Sequence, residues 1–388
     1  MKIIGMISGT SFDGIDVALV DINETNGVFS IKLIDFQSVP YSKDLRNKIA
    51  HAMPPQTIDM QIVCELDTFI GQAFADAASL LAARNNLTPE LVVSHGQTLF
   101  HWIEKNKALG TLQLGEPTWI AQKLGAPVLS NIRSRDITAG GHGAPLVSTL
   151  DQLMFGDNPD PVAALNLGGI SNVTITGAGM SPIAYDIGPA NGLLDAAILE
   201  FSEGQIPFDE DSKIASEGEV DQEILDKLLA EPYYKLPAPK STGKELFHLP
   251  YLIEFFGPVS TWSIQKVMRT LLELTVETVA QEIEKFGVKQ VFVHGGGTAN
   301  PLMMRRFRER LGSIEVQPMS VLGLDPRHKE AVTFALIGFM SWYGIPASVI
   351  SCTGADSAEL LGSLTFGSKP LALPQPKSRI KYSLKIIT

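Results

Sequence analysis

The residues with the most chemical promise fall in glycine-rich segments. The first runs Ser8-Gly9-Thr10-Ser11-Phe12-Asp13-Gly14-Ile15-Asp16. Its glycines permit close backbone approach and its hydroxyls add donors, so the turn can wrap phosphate oxygens with main-chain amides. Asp13 or Asp16 could hold a hydrated magnesium ion. A hairpin with Asp-Gly turn chemistry is the alternative, but two carboxylates and three hydroxyl side chains exceed a hairpin's needs. Asn166-Leu167-Gly168-Gly169-Ile170-Ser171-Asn172 is either a second phosphate turn or a structural one. Gly295-Gly296-Gly297 is more glycine than a turn requires. Bare backbone there would let a nucleoside lie flat, with Asn300 available for hydrogen bonds. None of these is a Walker loop, whose spacing Ser241-Thr242-Gly243-Lys244 also lacks, and none matches the dinucleotide fingerprint or the protein-kinase signatures.

Candidate carboxylates stand nearby in the sequence. In Tyr185-Asp186-Ile187-Gly188-Pro189-Ala190-Asn191-Gly192, Asp186 is expected at a strand end, ahead of a turn that opens a helix. A carboxylate so placed can act as a general base. Helix capping is the competing role, and Asn191 is better placed for it. Arg133 and Arg135 beside Asp136, followed by Gly140-Gly141-His142-Gly143, suit a small carboxylated or hydroxylated ligand, or else form a surface salt bridge. Ser94-His95-Gly96-Gln97 would line the same site, although a lone histidine more often serves structure. Glu330, taken alone, reads as a first-turn partner of a helix dipole.

The elements that must position these residues alternate between strand and helix. Ile3 to Ile7, the first glycine turn, and Val17 to Val20 read as strand, turn, strand. Val162 to Leu167, Gly168-Gly169, and Ile170 to Ile175 repeat that order roughly 160 residues later, which suggests two domains built on one plan. Helices are expected over about 59–85 and 262–286, the latter stopped by Gly287. The segment 202–240 reads as a surface excursion with one helix over 221–229. An α/β fold results, with glycine turns at strand ends where open sheets bind ligands. We place the N-terminal domain at 1–130, rejoined by part of 350–388, the C-terminal domain at 131–350, and a loosely packed tail after Gly367.

Composition narrows the function. The chain has 388 residues, enough for two cores, and a net charge of −11, which argues against a nucleic-acid partner. Its two cysteines, Cys64 and Cys352, exclude a disulfide framework and a cysteine-ligated zinc. No signal-peptide pattern and no apolar run of ~18 to 20 residues is present, so a cytoplasmic protein without a membrane partner is expected.

Together these segments resemble the anhydro-N-acetylmuramic acid kinases. The matching pieces are GTSFDGID, SHGQT, Gly115-Glu116-Pro117, the arginine loop with GHGAPL, NLGGISN, DIGPANGLLD, GGGTANP and KEAVTFA, spread from Gly9 to about Gly354. His142 stands where glutamine is common. The resemblance implies two RNase H-like lobes of the actin/hexokinase (ASKHA) type around a hinged interdomain cleft. It implies ATP and Mg2+, with nucleotide contacts at Gly9, Thr10, Ser11, Phe12, Asp13, Gly14, Ile15, Asp16, Gly168, Gly169, Gly295, Gly296, Gly297 and Asn300, and Asp13 reaching the metal through water. Asp186 matches the family's base and Glu330 a second carboxylate near the sugar. His95, Gln97, Arg135, Asp136, His142, Gly188 and Asn191 fall to the amino-sugar substrate, and a homodimer is compatible with the family. The implied reaction opens the 1,6-anhydro bridge with water and phosphorylates O6. Two rivals remain: a plain hydroxyl kinase of the same fold, in which Asp186 deprotonates the acceptor, and a non-catalytic ATP clamp.

Overall fold

The continuous apolar run Ile3 to Ile7 gives a strand buried on both faces, β1 (Lys2–Ser8), and the chain folds back on it as β2 (Gly14–Thr25) and β3 (Val28–Pro40). The computed structural model describes residues 1–388 apart from Thr10, Asn106, Lys244, Ile380 and Thr388. Thr10, expected in the first phosphate turn, thus lies outside the described residues. Helix α1 (Met60–Arg84), capped by the Asp59 carboxylate, crosses the sheet with Leu66, Ile70, Phe74 and Leu81 buried, while Phe69 and Leu80 face out. Then β4 (Leu91–Glu104) enters parallel to β1, β5 (Lys107–Leu114) hairpins back on β4, and β6 (Val128–Ser130) lies parallel to β4.

A second unit repeats the plan. β7 (Val162–Leu167), β8 (Ile170–Thr176) and β9 (Ile183–Pro189) form an antiparallel meander. Helix α2 (Asn191–Phe201) follows, and later α3 (Ile264–Glu284), which carries the apolar face Val267, Leu271, Leu274 and Ile283 into the core. β10 (Gln290–His294) adds parallel to β7, helix α4 (Pro301–Leu311) crosses back, and β11 (Glu315–Pro318) adds parallel to β10. The first sheet's central order β3-β2-β1-β4-β6 and the second's β9-β8-β7-β10-β11 are the same order with the same polarity. Each is an RNase H-like lobe, as the family resemblance implied, and the two share one plan, as the paired strand-turn-strand patterns suggested.

The chain returns to the first unit at helix α5 (Lys329–Trp342), followed by β12 (Ser363–Thr365) against β6 and β13 (Ser383–Ile387) parallel to β3. The first unit is Met1–Met154 with Gly323–Thr388, and the second is Phe155–Leu322. Both boundaries differ from those expected at 130 and 350. The reason is α5, which lies so close on β1 and β4 that a Cβ at Gly5 would sit 2.0 Å from the Ala331 carbonyl oxygen and one at Gly338 would sit 2.2 Å from Val93 Cγ2. Segment 131–154 stays with it, through the Lys329–Asp151 ion pair and a 2.5 Å hydrogen bond from Thr149 Oγ1 to the Ala347 carbonyl. The tail is also not loose. Besides β13 pairing, Lys377 Nζ lies 2.7 Å from Glu24 and Tyr382 stacks on buried Phe29.

Candidate active site

In the first unit, the glycine turn between β1 and β2 is framed from beneath. Ser8 Oγ lies 2.8 Å from the Gly14 carbonyl and 2.6 Å from Gln97 Oε1, and Gln97 Nε2 donates to the Gly9 carbonyl at 3.2 Å. Gln97 is completely buried, so its part is to hold the turn rather than to touch a sugar. Phe12 takes a positive φ of 44°, unusual for a bulky residue and a form of strain that collects at ligand sites. Gly14 is a glycine because β3 requires it, since a Cβ there would lie 2.5 Å from the Val39 carbonyl oxygen, and Ile15 points into the core. Gly9 is different: among the described residues a Cβ there would meet only Ser11 Oγ at 3.9 Å.

Two aspartates flank that turn. Asp13 is exposed, and one of its oxygens accepts from Arg46 Nη2 at 2.6 Å. A single accessible carboxylate beside an amide turn fits magnesium carried on nucleotide phosphates, where the ion keeps several waters. Among the described residues no group of three or more His, Cys, Asp or Glu is gathered for a metal. Burial raises the pKa of Asp16, against a hydrogen bond from Ser38 and the charge of His328.

Glu330 opens the first turn of α5. It keeps an exposed surface, yet the protein crowded around it raises its carboxyl pKa; the Arg133 charge opposes that rise and the Asp16 charge adds to it. Arg133 donates from Nε to His95 Nε2 at 2.8 Å and from Nη1 to the Gly143 carbonyl at 2.7 Å. His95 therefore carries its proton on Nδ1, 3.1 Å from the Gly96 carbonyl. Desolvation and then the Arg133 charge push its pKa down to about 3. A histidine held neutral in the folded state destabilises the fold as pH drops below its unfolded value, because the unfolded chain binds the proton first. His95→Gln should accordingly flatten the fall in thermal midpoint between about pH 6.5 and pH 3, read by scanning calorimetry.

The arginine loop divides differently from the sequence reading. Arg135 is exposed and pairs with Glu359 at 3.0 Å, the surface salt bridge that was the alternative reading. Arg133 is the less exposed one, half-buried, with a pKa lowered by desolvation to about 10. Asp136 is fully buried, accepting from Gly143 N at 2.7 Å and Thr353 Oγ1 at 2.8 Å, so its carboxylate holds the loop together instead of meeting a ligand. The backbone of His142 donates to the Thr353 carbonyl, which leaves its half-buried ring at the same loop.

In the second unit, three glycine segments converge at the carboxyl ends of β7 and β10. Asn191 N donates to the Gly168 carbonyl, Gly192 N donates to that of Gly169, and Asn191 Nδ2 donates to the Leu167 carbonyl at 3.1 Å. Asn191 is thus tied to the β7–β8 turn, and the capping position of α2 is Ala190, without a side-chain cap. Gly295, at φ 86°, would place a Cβ 2.3 Å from Asn166 Oδ1, and Gly297 one 2.6 Å from Leu167 Cβ. Gly296 is open, its nearest neighbour being Asn191 Nδ2 at 3.7 Å. Asn300 caps α4 through Oδ1, which accepts from Met303 N and meets Ser212 Oγ, so its contribution to a nucleoside reduces to Nδ2. Gly188 is packed under the Tyr234 ring, 2.7 Å from where its Cβ would be.

Asp186 lies inside β9, on the sheet's edge, rather than at the strand end. Its N–H donates to the Lys240 carbonyl at 2.9 Å, and its own carbonyl accepts from Tyr233 Oη at 2.6 Å. Ser241 Oγ and Thr242 N donate to Oδ2 at 2.8 and 3.1 Å. Among the described residues both bonds fall on Oδ2, so Oδ1 is the oxygen that can take a proton. Burial raises the Asp186 pKa, those two hydrogen bonds lower it, and the Glu245 charge raises it. Sequence reasoning assigned Ser241 and Thr242 no part beyond a failed Walker match. Their nearness to Asp186 depends on a fold-back no local pattern encodes.

A family profile described as anhydro-N-acetylmuramic acid kinase matches residues 1–367. An anhydro-N-acetylmuramic acid kinase of Streptomyces coelicolor is 45% identical over 389 residues, covering 100% of this chain and 99% of the relative. One from Rhodococcus erythropolis is 45% identical with 96% of each covered. Among solved structures, the activator of the 2-hydroxyisocaproyl-CoA dehydratase from Clostridium difficile, with bound ADPNP, aligns at a TM-score of 0.42 and 12% identity, covering 87% of this chain and 94% of that one, which is too distant to carry an inference. No helix among the described residues is long and apolar enough to cross a membrane. By the full-length match in sequence, the chain belongs to the anhydro-N-acetylmuramic acid kinase family.

Proposed function

We propose that this chain is an ATP-dependent kinase that hydrolytically opens 1,6-anhydro-N-acetylmuramic acid and phosphorylates O6, giving N-acetylmuramic acid 6-phosphate and ADP in the recycling of cell-wall peptidoglycan. Family membership along residues 1–367 supports the activity and the sugar. Asp186 Oδ1 takes a proton from water as that water attacks the anomeric carbon. The C1–O6 bond breaks, and O6 accepts the γ-phosphoryl group. The step resembles inverting glycoside hydrolysis, in which a carboxylate activates water on the face opposite the leaving oxygen. Phosphoryl transfer asks the protein chiefly for positioning and neutralisation of charge. The turns at Gly9 and at Gly168, Gly169 and Gly296 supply amides for the phosphates. Asp13 would hold magnesium through water, and the ion would neutralise phosphate charge. Glu330, with Arg133 beside it, serves the sugar, and the protein works in the cytoplasm.

The observation that carries the nucleotide assignment is that Gly9, Gly168, Gly169 and Gly296 are glycines without an internal reason: none has a positive φ, and among the described residues an added Cβ at each would meet nothing nearer than 3.4 Å. Such positions suit a ligand that approaches the bare backbone. Gly168→Ala and Gly296→Ala should raise the KM for ATP roughly tenfold or more. Their thermal midpoints should stay within about 2 °C of the parent. Gly297→Ala, which strikes Leu167, should instead melt early. Unchanged ATP kinetics in both open-glycine variants would move the nucleotide elsewhere.

Turnover in 18O-labelled water tests the reaction. The label should enter the anomeric oxygen during turnover, faster than it exchanges into preformed product held in the same water. Incorporation no faster than that exchange would make the enzyme a plain hydroxyl kinase. Absence of sugar-dependent ADP release would make it an ATP clamp.

A further inference from the structure

We propose that Lys240, paired with Glu282, is a positioning residue for Asp186: the buried pair fastens the 233–242 strap that orients the carboxylate. The inference rests on the role given to Asp186 above. Lys240 and Glu282 are almost completely buried, and Lys240 Nζ lies 2.9 Å from Glu282 Oε1. The same ammonium donates to the Tyr234 carbonyl at 3.2 Å and the Tyr233 carbonyl at 3.4 Å, and it stands 4.9 Å from the centre of the Tyr233 ring. One side chain thus gathers both ends of the strap and pins them to α3. Glu282 is held in turn by Lys285 Nζ at 2.9 Å and Tyr185 Oη at 3.2 Å.

What the strap does with that anchorage is touch Asp186 on every polar side but one. The Lys240 carbonyl takes the Asp186 N–H, Tyr233 Oη donates to its carbonyl, and Ser241 and Thr242 take Oδ2. Four contacts to one residue come from positions adjacent to the lysine's grip. β9 is an edge strand, so without the strap its outer side has no partner to fix the side chain. A buried ion pair does little for net stability against an apolar replacement, so its use is better sought in geometry. Loosening the strap removes two donors that hold the Asp186 pKa down, while burial and Glu245 continue to push it up. The base would then be both misdirected and protonated at higher pH.

Steady-state kinetics of the full chain decide the matter, with kcat, both KM values, the acid limb of the kcat profile and the melting midpoint read for each variant. Lys240→Met should lower kcat on the order of 10²-fold, the effect of a small misplacement of a reacting group. The KM for ATP should change less than about twofold, because ground-state binding is untouched, and the acid limb should move to higher pH. Lys240→Arg should restore part of kcat. Ser241→Ala, which leaves the ion pair alone, should move the acid limb in the same direction, and it decides the question where Lys240→Met does not fold. A folded Lys240→Met with the parental kcat or an unmoved acid limb overturns the proposal, as does Ser241→Ala with an unmoved limb. The labelled-water experiment uses only the parent chain, so its failure removes the reaction assignment, whereas its success beside a parental Lys240→Met removes the positioning role alone.

Discussion

Asp186→Asn should lower kcat by about 10² to 10⁴, the range a positioned general base supplies. The amide keeps the size of the carboxylate, and its oxygen can still accept from Ser241 and Thr242, so the strap and the strand edge have no cause to move. What is lost is only the capacity to take a proton. Nucleotide and sugar should therefore bind the variant as they bind the parent, by calorimetry, and its melting midpoint should be nearly unchanged. In the parent, kcat should fall on the acid side with a limb displaced upward from the ordinary aspartate value, because burial raises the Asp186 pKa. That limb should be missing from the variant. Turnover near the parental value would take Asp186 out of the reaction.

Lys329→Met should destabilise the first unit by about 3–5 kcal/mol, the usual consequence of leaving one member of a buried ion pair without its partner. Lys329 and Asp151 have side chains 1% and 2% exposed, with Nζ and Oδ1 2.6 Å apart. The pair joins the helix Ser148–Phe155 to the first turn of α5, next to Glu330. Native proteins hold only about 5–15 kcal/mol in all, so the loss is a large part of the total. With two units the unfolding is not assumed two-state, and the first-unit transition is the one to follow. The double variant Lys329→Met with Asp151→Leu should regain most of the loss, since no charge is then stranded. Equal midpoints for Lys329→Met and the parent would show the pair to be solvated and weak.

Much of the architecture was legible because it is written locally. The runs at Ile3 and Val162 each lead through glycines into a second strand, and both became β-meanders of one topology. Helices α1 and α3 fell within two residues of their expected ends, being long and marked by Asp59 and Gly287. Boundaries between the units were not legible. Every residue from Ala331 to Met340 in α5 is buried, the mark of a helix enclosed on all sides, but the sequence does not say which sheet encloses it. The tail hid its strand because Leu384 is the one side chain of β13 that is buried, behind a proline- and lysine-rich approach. At the site, residue types were read better than their duties. Gln97 and Asp136 are polar residues close to glycines, and nothing local separates a side chain facing a ligand from one that ties a turn in place. Lys240 could not be found at all, since Glu282 lies 42 positions further on.

The division of the first unit into two stretches of sequence has a consequence for biosynthesis. The second unit is a single insertion, Phe155–Leu322, whose sheet can be complete soon after β11 leaves the ribosome. The first sheet cannot close until its late pieces appear, because α5, β12 and β13 are all translated after the whole of the second unit, long after β6. Until then β1, β4 and β3 present apolar faces and an open edge to solvent, the kind of nascent surface that invites chaperones or aggregation.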